Sequence, residues 1–215
     1  MPLFYTVEEK DFRCCVWKVT ETADELLAAL PEADKYKAEA ASRFSFPKRR
    51  LEYAAVRALL YEMTGTPPDV SYLPSGRPFL TDGTAFLSIT HTKGYVAVAL
   101  SPSAVVGVDA EQYGERILSL RDRIVGERER AEDAWSLLLH WSAKETVYKM
   151  MDCEGVDFVE HLCVSGIPEA GSSRVKPEGE FFLSSSYPSH RQAYTVHYRL
   201  FPDFVLTYSQ STPRR

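Results

Sequence analysis

Apolar residues recur along this chain with two different periods. Alternating or continuous short apolar runs predict strands over Leu3 to Val7, Arg13 to Val19, Val70 to Leu73, Phe86 to Thr90 and Tyr95 to Leu100. A second set covers Val105 to Glu111, Glu180 to Ser185, Gln192 to Leu200 and Phe204 to Ser209. Helical spacing follows Thr22-Ala23-Asp24-Glu25, which has the form of a capping box and feeds Leu26, Leu27 and Leu30 before Pro31. A short, mostly surface helix is expected over Ala33 to Arg43. A stronger one runs from Phe46-Pro47 to Gly65 with Leu51, Ala55, Ala58, Leu59 and Met63 as its core stripe. Arg116 to Val125 and Glu127 to Met151 also read as helical, the mixed charges of Glu127 to Asp133 forming a solvated helix start. His91-Thr92-Lys93-Gly94 has the spacing of a hairpin turn. Asp152 to His161 reads as loop, Gly166 to Gly179 as a mobile Pro/Gly/Ser-rich stretch, and Ser211 to Arg215 as a disordered tail. Ser101-Pro102-Ser103 is the best boundary, dividing the chain into 1–102 and 103–215.

Within the long helix one position breaks the pattern. Ala134, Leu138, Trp141, Glu145 and Tyr148 share a stripe, so Glu145 puts a carboxylate on an otherwise core-facing side. An unpaired charge there costs several kcal/mol, so Glu145 should be protonated, ion-paired or metal-bound. A core-edge pair with Lys149, one turn on, is the plain alternative to a functional role. On the strand Val105 to Glu111, alternation sends Asp109 and Glu111 to one face, roughly 7 Å apart. Two carboxylates on a strand and one on a helix suit a hard divalent ion, which takes oxygen ligands from protein, water and phosphate. Either piece alone is weak, since a strand-end Asp-x-Glu is often a solvated turn.

The motifs carry a resemblance. Gly107-Val108-Asp109-Ala110-Glu111, followed by Trp141-Ser142-Ala143-Lys144-Glu145-Thr146-Val147-Tyr148-Lys149, resembles the two signatures of the 4'-phosphopantetheinyl transferases. Ser75-Gly76-Arg77-Pro78 and Ser88-Ile89-Thr90-His91-Thr92 are similar to two further family segments, with Ser88 where Asn is common. The likeness covers about residues 43 to 150. It implies the longer, two-halved (surfactin-synthetase-activating) type: an α+β fold of two similar α/β subdomains in a pseudo-two-fold arrangement. Each half would be a small antiparallel-rich sheet with packed helices, with the active site in the cleft between them. A monomer is implied too.

The resemblance assigns roles residue by residue. Asp109, Glu111 and Glu145 would hold Mg²⁺ (Mn²⁺ as a substitute), and Glu145 would also be the base that activates the acceptor serine. Asp109 and Lys149 join Glu145 and His91 as the catalytic set. Arg50, Arg57, Gly76, Arg77, Pro78, Thr90, His91, Lys144 and Lys149 would bind coenzyme A. On spacing alone Arg50 and Arg57 also read as a basic solvated face, and Lys48 and Arg49 remain candidates in that register. His197 reads as structural. The implied reaction moves the phosphopantetheine arm of coenzyme A onto a serine of an apo acyl or peptidyl carrier protein, releasing adenosine 3',5'-bisphosphate. The basic residues between Arg116 and Arg130 are candidates for docking an acidic carrier. A Mg²⁺-dependent phosphohydrolase and a non-catalytic carrier-binding module are the alternatives.

Composition narrows this further. The 215 residues can bury a substantial core. A net charge of -5 argues against a general nucleic-acid binder. Cys14, Cys15, Cys153 and Cys163 have neither disulfide-frame nor zinc-site spacing, which points to reduced thiols. No apolar run is long enough for a bilayer, and Met1 to Phe12 lacks a signal-type apolar region, so the cytoplasm is the expected location.

Overall fold

The computed structural model describes residues 3–167 and 177–211. The first half contains β1 (Tyr5–Glu9), β2 (Phe12–Lys18), α1 (Ala23–Ala28), α2 (Ala33–Arg43), α3 (Pro47–Thr64), β3 (Val70–Tyr72), β4 (Pro78–Leu80), β5 (Phe86–Thr92) and β6 (Tyr95–Ser101). The second contains β7 (Val105–Gln112), a 3-10 segment over Glu115–Arg123, α4 (Ala134–Met151), α5 (Phe158–His161), β8 (Leu162–Ser165), β9 (Glu178–Ser185), β10 (Gln192–Leu200) and β11 (Phe204–Ser211). The architecture is α+β, as expected. One antiparallel sheet runs β1-β2-β6-β5, the other β7-β11-β10-β9-β8, and β3 with β4 forms a small ribbon. The orders differ in length, and the pseudo-two-fold relation of the halves is not established by them. No helix of the described residues is long and apolar enough to cross a membrane.

Three cores follow from strand alternation. Cys15 and Trp17 of β2 and Val96, Val98 and Leu100 of β6 face α1, α2 and α3. The other faces of the same strands carry Cys14, Val16, Tyr95, Ala97 and Ala99, which meet Val106, Val108 and Ala110 of β7 and Phe204 and Leu206 of β11. A continuous apolar layer therefore joins the two sheets. A third core lies between the second sheet and α4. Because β7 turns Val106 and Val108 toward the first sheet, Gly107, Asp109 and Glu111 must face α4.

Gly107 explains its own place in the motif. A Cβ built there collides with the backbone carbonyl of Thr146 and the side chain of Met150. The bare backbone lets α4 pack onto β7 closely enough for helix residues to reach Asp109. Gly107→Ala is expected to lower stability by about 2–3 kcal/mol through overpacking, measured as a drop in the urea midpoint with an unchanged slope.

Local chemistry sets most element ends. Thr22 and Glu25 form the capping box on α1, and Gly65 ends α3 at φ 70. The long second-half helix begins later than its pattern predicts. Residues 127–133 are not helical: Asp133 caps α4 by accepting from the backbone N–H groups of Trp135 and Ser136. Glu129, expected on a solvated helix start, is buried. The stretch expected as loop over Asp152 to His161 ends in α5 and leads directly into β8, a strand the pattern did not announce. Of the stretch expected to be mobile, residues 168–176 lie outside the described residues, as do 212–215 of the tail. Ser211 itself is paired with Val105 in the sheet.

Candidate functional site

Strand β7 and helix α4 bring the expected acidic residues to one place. Asp109 is buried, and its Oδ1 accepts a 2.7 Å bond from Lys149 Nζ and a 3.3 Å bond from Thr90 Oγ1. Its Oδ2 accepts from Ser142 Oγ at 2.9 Å, and Ser142 is in turn 2.8 Å from Thr207 Oγ1. Two residues along the strand, Glu111 Oε1 accepts from the indole N–H of Trp141 at 2.9 Å. Trp141, Glu145 and Lys149 succeed one another by single turns on α4, so Glu145 sits between the partners of Glu111 and Asp109. Lys149 pairs with Asp109, and no bond joins it to Glu145 among the described contacts. The core-edge Glu–Lys pair is therefore not what holds Glu145.

Burial raises the Glu145 carboxyl to about 7, with the charges of Asp109 and Glu111 adding to the rise and Lys149 opposing it. Glu111 is raised as well, by burial and then by Asp109, against the bond from Trp141. One ammonium thus faces three carboxylates. Among the described residues, no three acidic, His or Cys side chains converge tightly enough to form a ready-made cage. The donor chemistry still fits Mg²⁺. Every ligand on offer is a hard oxygen, the site carries excess negative charge, and Mg²⁺ commonly takes one or two carboxylates and completes its shell from water and phosphate.

This arrangement has a pH signature. The folded pKa of Glu145 lies above its unfolded value, so between pH 4.5 and 7 the native state holds the proton more tightly. Metal-free stability should fall across that window by no more than about 3 kcal/mol. A divalent ion held by these carboxylates would need them ionised, so added Mg²⁺ is expected to raise Tm more at pH 8 than at pH 6. Thermal melts with Mg²⁺ or EDTA at both pH values check this; an equal shift at the two would count against the assigned ligands.

The acidic cluster opens onto a cleft of about 600 Å³, within the usual range for small-molecule sites. Asp109, Glu111 and Lys149 line it from the second half, and Thr90, His91, Gly76, Pro78 and Arg57 from the first. Glu145 is half-buried and is not itself a wall of the cleft. His91, exposed near the end of β5, has Nε2 3.3 Å from Arg49 and 3.4 Å from Glu52. Arg57 is buried on α3, its guanidinium 4.1 Å from the Tyr53 ring centroid, with no hydrogen-bond partner for Nε.

Three expected contacts lie elsewhere. Arg50 donates to the Phe44 carbonyl at 2.7 Å and is not a wall of the cleft. Arg77 is paired with Asp152 at 3.5 Å and lines a smaller neighbouring cavity of about 190 Å³. The third is a correction. Lys144, expected on phosphate oxygens, is fully buried on the far side of α4. All three of its protons are used, by Glu129, Ile124 O and Phe158 O at 2.6–2.8 Å. Burial lowers its pKa, opposed by Glu129. Lys144 belongs to the scaffold. Ser88 is scaffold too: its Oγ accepts from Val108 N at 3.1 Å and joins β5 to β7.

Sequence reasoning missed Arg43, Phe44, Glu52 and Tyr72 in the cleft wall. Arg43 ends a helix that reads as surface, and its guanidinium lies 5.5 Å from the Tyr72 ring centroid. Only the packing of α2 against α3 and the ribbon delivers it. No family model and no curated protein matches the chain.

Proposed function

We propose that the chain is a Mg²⁺-dependent 4'-phosphopantetheinyl transferase, acting on coenzyme A and a serine of an apo acyl or peptidyl carrier protein. One arrangement supports this most: Asp109, Glu111, Glu145 and Lys149 meeting beside a cleft whose other wall is basic and aromatic. Phosphoryl transfer asks a protein chiefly for positioning and charge neutralisation, and these residue types supply both. The excess carboxylate charge of the pocket is unfavourable until a cation enters it.

In this reading the basic and aromatic wall made by Arg43, Arg49, Arg57, Tyr53 and Tyr72 receives the nucleotide end of coenzyme A. Its guanidiniums suit phosphate and its rings suit a purine. His91 and Lys149 lie against the pyrophosphate. Lys149 neutralises charge on the departing bisphosphate, while Thr90 and Ser142 hold Asp109 in one orientation. The acceptor serine oxygen bonds to the phosphorus that bears the pantetheine arm, and the bond from that phosphorus to the bridging oxygen breaks. The serine proton leaves to Glu145. Bound Mg²⁺, held by Asp109, Glu111 and Glu145, would offset pyrophosphate charge and lower the barrier to attack. The protein would work as a cytoplasmic monomer, where coenzyme A and free thiols such as Cys14 and Cys15 both belong.

The direct test is mass spectrometry of apo carrier proteins after incubation with the protein, coenzyme A and Mg²⁺. A gain of one phosphopantetheine arm, lost with EDTA, is the expected result. Release of nucleotide from coenzyme A with no carrier present would instead identify a phosphohydrolase. Neither product, with no coenzyme A binding, would identify a non-catalytic module.

A further inference from the structure

Helix α4 ends in an unusual way. Its last turn gives way to Asp152 at φ 46 and ψ 48, a left-handed conformation that glycine normally occupies at a helix C-terminus. Among the described residues only one other non-glycine residue, Glu32, has positive φ. Aspartate tolerates the region better than most residues, yet glycine would be the unstrained choice. The side chain accounts for the exception. Asp152 Oδ1 accepts from Ser75 Oγ at 2.6 Å, and Oδ2 lies 3.5 Å from Arg77. Both partners belong to the loop between β3 and β4, in the opposite half of the molecule.

That loop is not a passive turn. Gly76, at φ 87 with its N–H bonded to Leu73 O, and Pro78 both line the main cleft, while Arg77 lines the smaller cavity together with Asp152 and Lys149. Asp152 lies three residues beyond Lys149 on the element that carries the acidic cluster. One carboxylate therefore links the loop wall to the C-terminal end of α4.

We propose that Asp152 is a positioning residue: by strapping Ser75 and Arg77 to the end of α4 it fixes the Gly76–Pro78 wall against which the donor's nucleotide end is held. This rests on the coenzyme A reading of the cleft. Asp152 touches neither reacting atom, so its loss should act on donor affinity and spare the chemical step.

Asp152→Gly is the sharpest variant, because it removes the strap while keeping, and relaxing, the left-handed backbone. Calorimetric coenzyme A binding should weaken about tenfold, or about 1.4 kcal/mol. In turnover the change should appear in KM for coenzyme A, with kcat and the KM for carrier near wild type. Asp152→Asn keeps an acceptor for Ser75 and should recover most of the affinity, which a purely structural role would not explain. Hydrogen exchange at the Gly76 and Arg77 amides should quicken in Asp152→Gly, with or without ligand. Unchanged affinity and exchange in that variant would overturn the strap while leaving the function intact. A wild-type protein that binds no coenzyme A would overturn the functional reading, and the strap's role in donor binding with it.

Discussion

Glu145→Gln should abolish transfer and yet leave a protein at least as stable as the original. The substitution keeps the shape of the side chain and removes a buried charge that Asp109 and Glu111 both repel. As the proposed base and metal-facing carboxylate, Glu145 is worth about 10²–10⁴ in rate for the proton transfer alone. At pH 8 without metal, the variant should melt higher than wild type by the equivalent of about 1–3 kcal/mol, because the repulsion is gone. The opposite pattern, full transfer with lost stability, would mean that Glu145 is an ordinary half-buried acid. Lys149 bonds Asp109 rather than Glu145, so its charge opposes the repulsion at Glu145 without a direct pair.

The second large effect is on stability alone. Lys144 and Glu129 form a buried pair at 2.6 Å, both side chains almost wholly enclosed. Glu129 accepts from Gly126 N at 2.8 Å and from Val164 N at 2.7 Å, and Lys144 reaches carbonyls of Ile124 and Phe158. These bonds tie the end of the 3-10 segment, the 126–133 connection, α5 and β8 to α4. Lys144→Met leaves Glu129 charged, buried and without its cation, and should cost about 3–5 kcal/mol. Adding Glu129→Leu to it should recover part of the loss, since an apolar pair of similar volume avoids the desolvation penalty. Chemical denaturation of the single and double variants measures both numbers. A Lys144→Met protein of normal stability but weak coenzyme A binding would return Lys144 to the donor site.

The two residues show where sequence reasoning works and where it stops. Asp109, Glu111, Glu145 and Lys149 were legible because strand and helix periods fix which face each side chain takes. The alternation that buries Val106 and Val108 leaves Gly107, Asp109 and Glu111 on the other side. Most strands and the helices α2 and α3 were legible for the same reason. Lys144 was not, because its motif position says nothing of the face opposite the cleft. Only Glu129, folded inward from an apparently solvated charge run, reveals that a cation belongs there. The late start of α4 was hidden by residues that tolerate helix well, until Asp133 captured the first free N–H groups. Arg77 failed differently: its loop was found, but its partner, Asp152, lies 75 positions away in another half. Long-range ion pairs leave no mark on local periodicity.

The apolar layer that joins the two sheets also limits how the molecule can move. Phe12, Tyr95, Val106, Val108, Phe204 and Leu206 are shared between the halves, so a hinged opening would wet a hydrophobic interior. Such bending is too costly to accompany each round of the proposed reaction. A ligand entering the cleft would meet a rigid frame, and accommodation would fall to rim side chains and to the turn around Gly76.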